Sequence, residues 1–361
     1  MTHSGEPVRY GPGATGTDEV LFATTDVPTG RLGRILLNRP KALNALTDPM
    51  VGALARQLET WSGDQTVTGI EVRGTGPRGL CSGGDVRLLR DAIQRGGDPV
   101  PFWATEYALN ALIADYPKPI TAVMNGIVMG GGLGVSAHAT HRLATPSSRF
   151  AMPETIIGFF PDVGISYLLA RAPGELGTHV VMTGGTVGPA DAVLCGLADT
   201  IVAEPDPAFP DDVVPPLLDA PRLDASPLPV EPGPLAAARD WIDRCYTGDD
   251  PVAIVDRLAA DPDPDARAAA DTIRARCPFS VHVSLAAIRR AARLTRAEVF
   301  AQDLALARSL AHRSDLVEGI RAQLVDRDHD PHWQPATLAE VDRTEVAAAF
   351  ADASVPADGP V

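Results

Sequence analysis

Two carboxylates near the middle of the chain lie in sequence surroundings that suit proton transfer. Glu154 follows Pro153 among apolar and aromatic neighbours, and Asp162 lies in the loop Phe160-Pro161-Asp162-Val163-Gly164. A carboxylate that loses hydration among apolar groups has a raised pKa, which suits general acid–base or nucleophilic catalysis. The alternatives are a carboxylate favoured by a helix N-terminus for Glu154 and a simple turn residue for Asp162.

Two glycine-rich loops each lie between an expected strand and an expected helix. The first is Cys81-Ser82-Gly83-Gly84-Asp85, and the second is Gly130-Gly131-Gly132-Leu133-Gly134. Unpaired N–H groups at a helix N-terminus can hold a negatively charged oxygen. Two such loops that meet at one carbonyl oxygen form the oxyanion hole used in acyl chemistry. Either loop alone is better explained as a tight turn that lets a helix pack closely on a strand.

Three other patterns indicate alternative sites and are weaker. Residues 132–137 satisfy G-x-G-x-x-A with Glu154 downstream, but a dinucleotide motif should open the first βαβ unit and place its acid after the second strand. His138 and His141 lack an accompanying set of metal ligands, so we expect core or surface histidines. No general base lies near Cys81 in the sequence, so we expect Cys81 to pack as a small apolar residue rather than to act as a nucleophile.

The composition excludes several classes of protein. The 361-residue chain has a formal net charge of −15, which disfavours nucleic acid as a partner. No apolar run approaches a membrane span, and the polar N-terminus lacks the pattern of a secretory signal. The four cysteines are widely spaced, which argues against a disulfide framework. These features predict a cytoplasmic protein that binds neither membranes nor nucleic acid.

The pattern of apolar residues predicts an α/β core followed by a helical part. We expect a frayed tail over residues 1–17, the core with the active site over 18–204, a Pro/Asp-rich connector over 205–234 and a helical part over 235–361. A helix should begin at Asp48 as N-cap with Pro49 in the first position. Strands are predicted at 19–23, 33–37, 67–72, 119–123 and 200–203, and further helices at 86–94, 102–114, 166–170, 175–182 and 190–195.

Four segments together resemble the crotonase, or enoyl-CoA hydratase/isomerase, superfamily. They are LNRPKALNAL (37–46), CSGGD (81–85), PKPITAVMNGIVMGGGLG (117–134) and AMPETIIGFFPDVG (151–164). The segments EYALN (106–110) and LVEGIRAQLVDRDHDPHWQP (316–335) resemble its thioester-hydrolysing subgroup. The resemblance implies a spiral of ββα units with a helical C-terminal part.

The resemblance also implies roles for individual residues. The N–H groups of Gly84 and Gly131 would hold the carbonyl oxygen of an acyl-CoA thioester. Glu154 would be the main catalytic carboxylate, and Asp162 and Glu106 would contact the acyl portion. No metal or redox cofactor is implied, because CoA is part of the substrate.

Two further positions refine this implication. Lys41, one of only two lysines, would favour the CoA phosphates. Gly134 stands where hydratases of the superfamily carry a second glutamate, which hydration needs for proton transfer. The implied reaction is therefore hydrolysis of a 3-hydroxyacyl-CoA such as 3-hydroxyisobutyryl-CoA, in valine breakdown. The alternatives are an enoyl-CoA hydratase or isomerase and a non-catalytic CoA-binding protein. The resemblance implies a homo-oligomer, either a trimer or a hexamer, and leaves a monomer open.

Overall fold

The chain divides into two compact units, each assembled from separated segments. The computed structural model describes residues 8–13, 16–204 and 228–351. The first unit takes its described residues from 1–84, 108–150 and 198–231, and the second from 85–107, 151–197 and 232–361. The units therefore cut across the predicted core of residues 18–204, because contacts join segments that are distant in sequence. Most of the predicted tail and connector lies outside the described residues, so those boundaries stay predictions.

A six-stranded sheet organises the first unit. Its strand order is β1-β2-β3-β4-β6-β8, and β5 pairs with β7 separately. The strands are β1 (Val20–Val27), β2 (Gly30–Leu37), β3 (Val67–Gly74), β4 (Ile120–Met124), β5 (Ile127–Met129), β6 (His141–Ala144), β7 (Arg149–Ala151) and β8 (Thr200–Ile201).

The sheet begins with an antiparallel hairpin and continues with parallel neighbours. β1 and β2 pair over their whole length, from Val20 opposite Leu37 to Val27 opposite Gly30. The remaining pairs are all parallel. The predicted strands β1, β2, β3, β4 and β8 are confirmed, whereas β5, β6 and β7 were not predicted. These three have only three or four residues each, too few to show an alternating pattern.

Helix α1 (Asp48–Gly63) shows how the sequence sets an element of this unit. The predicted N-cap at Asp48 is wrong by one residue, because Thr47 has the extended backbone and its side chain accepts the N–H of Met50 at 3.4 Å. Pro49 follows within the first turn, where its missing N–H costs nothing. The buried face includes Leu54 and Leu58 at helical spacing.

The second unit is largely helical, and proline opens many of its helices. A proline in the first turn has a fixed φ that suits helix initiation, and Asp250 and Asp263 each cap such a helix. None of the helices in the described ranges is long and apolar enough to cross a membrane. Two of the further helices involve the first unit: α3 (Val100–Ala114) is divided between the units after Tyr107, and α4 (Gly131–Gly134) lies in the first unit. The others are α2 (Val86–Gln94), α5 (Ile165–Leu169), α6 (Leu176–Thr183), α7 (Pro189–Leu194), α8 (Pro234–Cys245), α9 (Pro251–Ala260), α10 (Pro264–Arg274), α11 (Pro278–Ala291), α12 (Arg296–Leu310), α13 (Ser314–Ile320) and α14 (Arg343–Ala348). Helix α13 continues into a π-helical turn at Arg321–Val325.

Candidate active site

The two glycine-rich loops lie side by side within the first unit. The N–H of Cys81 donates to the carbonyl of Ile127 at 3.1 Å, and the N–H of Met129 donates to the carbonyl of Cys81 at 3.0 Å. A Cβ atom at Gly83 would lie 3.4 Å from the Met129 oxygen and 3.6 Å from the Gly131 nitrogen. The backbone of the first loop therefore contacts the backbone of the second directly.

Glycine is required at two positions of the second loop. Gly130 precedes α4 with φ 50° and ψ −125°, a backbone conformation that side chains oppose. A Cβ atom at Gly132 would lie 2.3 Å from the carbonyl oxygen of Cys81. Any side chain at Gly132 would thus push the two loops apart.

The N–H groups of Gly84 and Gly131 are available as donors. Within the residues that the structure describes, neither donates a hydrogen bond, whereas the N–H of Leu133 donates to the Gly130 carbonyl at 2.8 Å. Gly131 is buried and is the first residue of α4. A buried N–H without an acceptor is costly, so such a group is suited to receive an oxygen of a ligand. This is the property that an oxyanion hole needs.

Lys41 lies in the first unit, in a 3-10 turn over Pro40–Ala42, and its side chain is exposed. The guanidinium of Arg78 donates to the Lys41 carbonyl at 3.0 Å. Two cationic side chains therefore lie on neighbouring chain segments at the surface. Such a pair attracts phosphate groups.

The second unit brings the predicted carboxylates together. Glu154 begins a 3-10 turn that ends at Ile156, and Asp162 lies shortly before α5. The side chains of Glu154, Asp162 and Glu106 are only 7%, 5% and 2% exposed. The hydroxyl of Tyr107, on α3, donates to Asp162 Oδ2 at 2.6 Å. Asp162 is thus held by a partner that the sequence analysis did not identify.

The burial of these carboxyls raises their pKa values. Burial raises the pKa of Glu154 well above its usual range, and the charges of Asp162 and then Glu106 raise it further. Burial also raises the pKa of Asp162 to about 7, although the hydrogen bond from Tyr107 opposes the shift. Two interacting carboxyls titrate as a pair, so ionisation of one disfavours ionisation of the other. Raised pKa values of this kind suit carboxyls that exchange protons with a substrate.

Helix α13 packs against the turn that carries Glu154. A Cβ atom at Gly158 would lie 2.3 Å from the Asp315 carbonyl oxygen, and one at Gly319 would lie 2.5 Å from the Ile157 Cα. Contacts this close exclude any side chain at either glycine. A segment near the C-terminus thus fixes the position of the turn.

A family model described as enoyl-CoA hydratase/isomerase matches residues 32–350. This range spans both glycine-rich loops and all three carboxylates. The chain belongs to the enoyl-CoA hydratase/isomerase family.

Relatives in this family carry more than one name. The 3-hydroxyisobutyryl-CoA hydrolase, mitochondrial, of Danio rerio is 37% identical over 90% of this chain and 87% of its own. A carnitinyl-CoA dehydratase from Mycobacterium thermoresistibile has a TM-score of 0.83 and 42% identity, covering 93% of this chain and 97% of its own. An enoyl-CoA hydratase from Rhodobacter sphaeroides has a TM-score of 0.84 and 35% identity, covering 92% and 97%. The predicted α/β fold with a helical C-terminal part is confirmed.

The expected cytoplasmic location is wrong by the same comparison. The Danio rerio relative is named as mitochondrial, and seven further curated relatives, 32–34% identical, carry the same name. The relatives therefore point to mitochondria rather than the cytoplasm. The expectation relied on the absence of a recognisable signal, and such an absence does not identify a compartment.

The alternative sites find no support among the described residues. Those residues contain no group of three or more histidine, cysteine or acidic side chains that could hold a metal ion. Helix α4, which follows the G-x-G-x-x-A match, has only four residues, and Glu154 lies in a 3-10 turn rather than after a second strand. Both observations differ from a dinucleotide-binding unit. Cys81 is fully buried, as expected for a small apolar residue.

The sequence analysis missed a buried carboxyl of the second unit that interacts with Asp162. Asp303 on α12 is 0% exposed, and its Oδ2 accepts the N–H of Gly164 at 2.8 Å. Burial raises the pKa of Asp303 well above its usual range, and the charge of Asp162 adds to the effect. A signal was present in the sequence, because Asp303 falls at helical spacing with the apolar residues Val299 and Leu306.

Proposed function

We propose that this chain hydrolyses the thioester of 3-hydroxyisobutyryl-CoA to 3-hydroxyisobutyrate and free CoA. The observation that carries the proposal is the buried carboxyl pair of Glu154 and Asp162, together with a glycine at position 134. The curated relatives named as 3-hydroxyisobutyryl-CoA hydrolases support the same reaction. The reaction would belong to valine breakdown.

The backbone N–H groups of Gly84 and Gly131 act on the thioester carbonyl in this proposal. They polarise the carbonyl and stabilise the negative charge that develops on its oxygen when the carbon becomes tetrahedral. Their lack of an acceptor among the described residues supports this role. Removing one such donor typically costs about 100- to 1,000-fold in rate.

The carboxyl pair carries out the proton transfers. Glu154 either takes a proton from the attacking water or attacks the carbonyl itself to give a mixed anhydride that water then hydrolyses. Ionised Asp162 accepts the hydrogen bond of the substrate 3-hydroxyl and shuttles the proton that the attacking water gives up to the departing thiolate. Glu106 lines the acyl portion. Water supplies one hydroxyl to the acid and one hydrogen to the thiol. No electrons are transferred, so we propose no redox cofactor and no metal.

Binding of the CoA portion involves the first unit in this proposal. Lys41 would attract the phosphates of CoA from its exposed position. The expectations that the chain binds neither nucleic acid nor membranes, and that it is a monomer, trimer or hexamer, stay predictions.

Hydration of an enoyl-CoA is the second candidate, because two solved structures of similar fold are named as a dehydratase and a hydratase. Adding water to a double bond requires one group to activate the water and another to protonate the α-carbon. Gly134 has no side chain that could supply the second group. The position of Asp162 suits a hydroxyl-bearing acyl group instead.

A paired assay distinguishes the two candidates. The enzyme is given 3-hydroxyisobutyryl-CoA with a thiol reagent and, separately, an enoyl-CoA whose conjugated absorbance is followed. A hydrolase releases thiol from the first substrate, and a hydratase removes the absorbance of the second without releasing thiol. Loss of absorbance without any thiol from the hydroxyacyl substrate would contradict the proposal.

A further inference from the structure

Asp303 is fully buried, and the reaction proposed above gives it no role. We propose that Asp303 is a positioning residue, which holds Asp162 in its working orientation by accepting the hydrogen bond of the Gly164 N–H. This inference rests on the proposed function, since it is that function which gives Asp162 its task.

The chain directly after Asp162 has an unusual backbone conformation. Val163 has φ 52° and Gly164 has φ 73°, so two consecutive residues are left-handed. A β-branched residue rarely adopts this conformation, and it persists only where the surroundings enforce it. Val163 is 0% exposed, so the enforcement comes from buried contacts. The turn therefore needs an external constraint to keep Asp162 in place.

Asp303 supplies such a constraint from a different element. Its Oδ2 lies 2.8 Å from the Gly164 nitrogen, and α5 begins at the next residue, Ile165. Helix α12 also contacts α5. The hydrogen bond thus ties the end of the strained turn to a helix far along the chain. On the other side of Asp162, the hydroxyl of Tyr107 fixes the carboxylate itself.

Asp303 lies beside other buried ionisable groups. The charges of Asp162 and Glu106 raise the pKa values of both Tyr107 and Glu154, beyond the effect of burial. Asp303 faces this acidic group. Burial raises the pKa of Asp303, the hydrogen bond from the Gly164 N–H lowers it, and the charge of Asp162 raises it. The role of Asp303 depends on the hydrogen bond that its Oδ2 accepts from the Gly164 N–H, and not on its protonation state.

This assignment makes asparagine a conservative replacement. The side chain of Asp303→Asn keeps a carbonyl oxygen in the same place and carries no charge, whereas Asp303→Ala has no acceptor. We expect Asp303→Asn to keep kcat within about twofold of wild type. Asp303→Ala should lower kcat about 10- to 100-fold, the effect of a misplaced catalytic group, and leave KM within about threefold.

The pH profile separates positioning from a general loss of stability. In Asp303→Ala, the acidic limb of kcat/KM should move to higher pH, because a displaced Asp162 loses part of the Tyr107 hydrogen bond that lowers its pKa. In Asp303→Asn, the limb should stay where it is in wild type. Asp191→Ala is the matched control: Asp191 is also buried and accepts a backbone N–H, that of Leu235 at 3.1 Å. It should lower Tm and leave both kcat and the limb unchanged.

The inference and the proposed function fail in different ways. A wild-type enzyme that releases no thiol from 3-hydroxyisobutyryl-CoA would contradict the proposed function. If the wild type is active and a folded Asp303→Ala keeps the wild-type kcat and pH profile, only the role of Asp303 is overturned. If Asp303→Ala does not fold, Asp303→Asn decides alone. A tenfold loss of kcat in Asp303→Asn, which keeps an acceptor for the Gly164 N–H, would overturn the role of Asp303. An equal loss of kcat in Asp191→Ala would show that the effect of Asp303→Ala comes from lower stability alone, and it would also overturn the role of Asp303.

Discussion

Replacing Tyr107 with phenylalanine removes the hydroxyl that donates to Asp162 and keeps the buried ring. That hydroxyl lies 2.6 Å from Asp162 Oδ2, and it lowers the pKa of a carboxyl that burial raises to about 7. Because the hydrogen bond favours the ionised form, its loss must raise the pKa of Asp162 further. Tyr107→Phe therefore tests whether the ionised Asp162 is the form that supports hydrolysis.

The size of the effect follows from the strength of the bond. A hydrogen bond to a charged group contributes about 1.5–3 kcal/mol, and one pKa unit corresponds to about 1.4 kcal/mol. Tyr107→Phe should thus raise the pKa of Asp162 by about 1–2 units. The ionised fraction near neutral pH, and with it kcat/KM, should fall about 5- to 50-fold and recover as the pH rises.

The assay is the pH dependence of kcat/KM for thiol release from 3-hydroxyisobutyryl-CoA. Its acidic limb reports the ionisation of the free enzyme. Tyr116→Phe is the matched control, because the Tyr116 hydroxyl donates to a backbone carbonyl of the first unit, that of Leu58 at 2.7 Å, and not to a carboxylate. The control should lower Tm and keep the limb in place. A limb that stays unshifted in Tyr107→Phe would refute the reasoning.

Three further substitutions test separate parts of the account. Burial raises the pKa of Asp162 from 3.8 to about 7, so ionisation of Asp162 disfavours folding by up to about 4 kcal/mol as the pH rises through that range. Asp162→Asn removes this cost and should therefore raise Tm near pH 8 but not near pH 3. A Tm equal to that of wild type at both pH values would contradict this. Lys41→Ala should raise KM about 2- to 5-fold without changing kcat. The difference from wild type should vanish with an acyl-pantetheine substrate that lacks phosphates. An unaltered KM for the acyl-CoA would exclude the contact between Lys41 and the CoA phosphates. Gly319→Ala places a methyl group 2.5 Å from the Ile157 Cα, so kcat and Tm should both fall, and a normal kcat would show that the turn of Glu154 does not depend on α13.

The sequence was sufficient for features that depend on local patterns. The hairpin, α1 and α2 follow from apolar periodicity and turn residues, and α2 has the predicted bounds of Val86–Gln94. The burial of Glu154 and Asp162 could be expected because their immediate neighbours in the sequence are apolar. The N-cap moved from Asp48 to Thr47, since either side chain could cap the helix and only the backbone conformation decides.

The sequence was not sufficient for features that depend on contacts between distant segments. Asp303 lies about 140 residues beyond Asp162, and its partner is a backbone N–H that no motif displays. The hydrogen bond from the hydroxyl of Tyr107 could not be predicted for the same reason, because its partner Asp162 lies 55 residues further along the chain. The division into two interleaved units is also a property of spatial contacts alone. The oxyanion-hole role of Gly84 and Gly131 was implied by the resemblance and stays a prediction.

The central claim is that Glu154 carries the hydrolysis of 3-hydroxyisobutyryl-CoA. Its most direct test is thiol release by Glu154→Gln, which keeps the size of the side chain and removes its proton chemistry, measured beside wild type and Asp191→Asn. The account predicts a loss of about 100- to 10,000-fold in kcat for Glu154→Gln, with near-normal turnover in the control. Thiol release by Glu154→Gln at close to the wild-type rate would contradict the account.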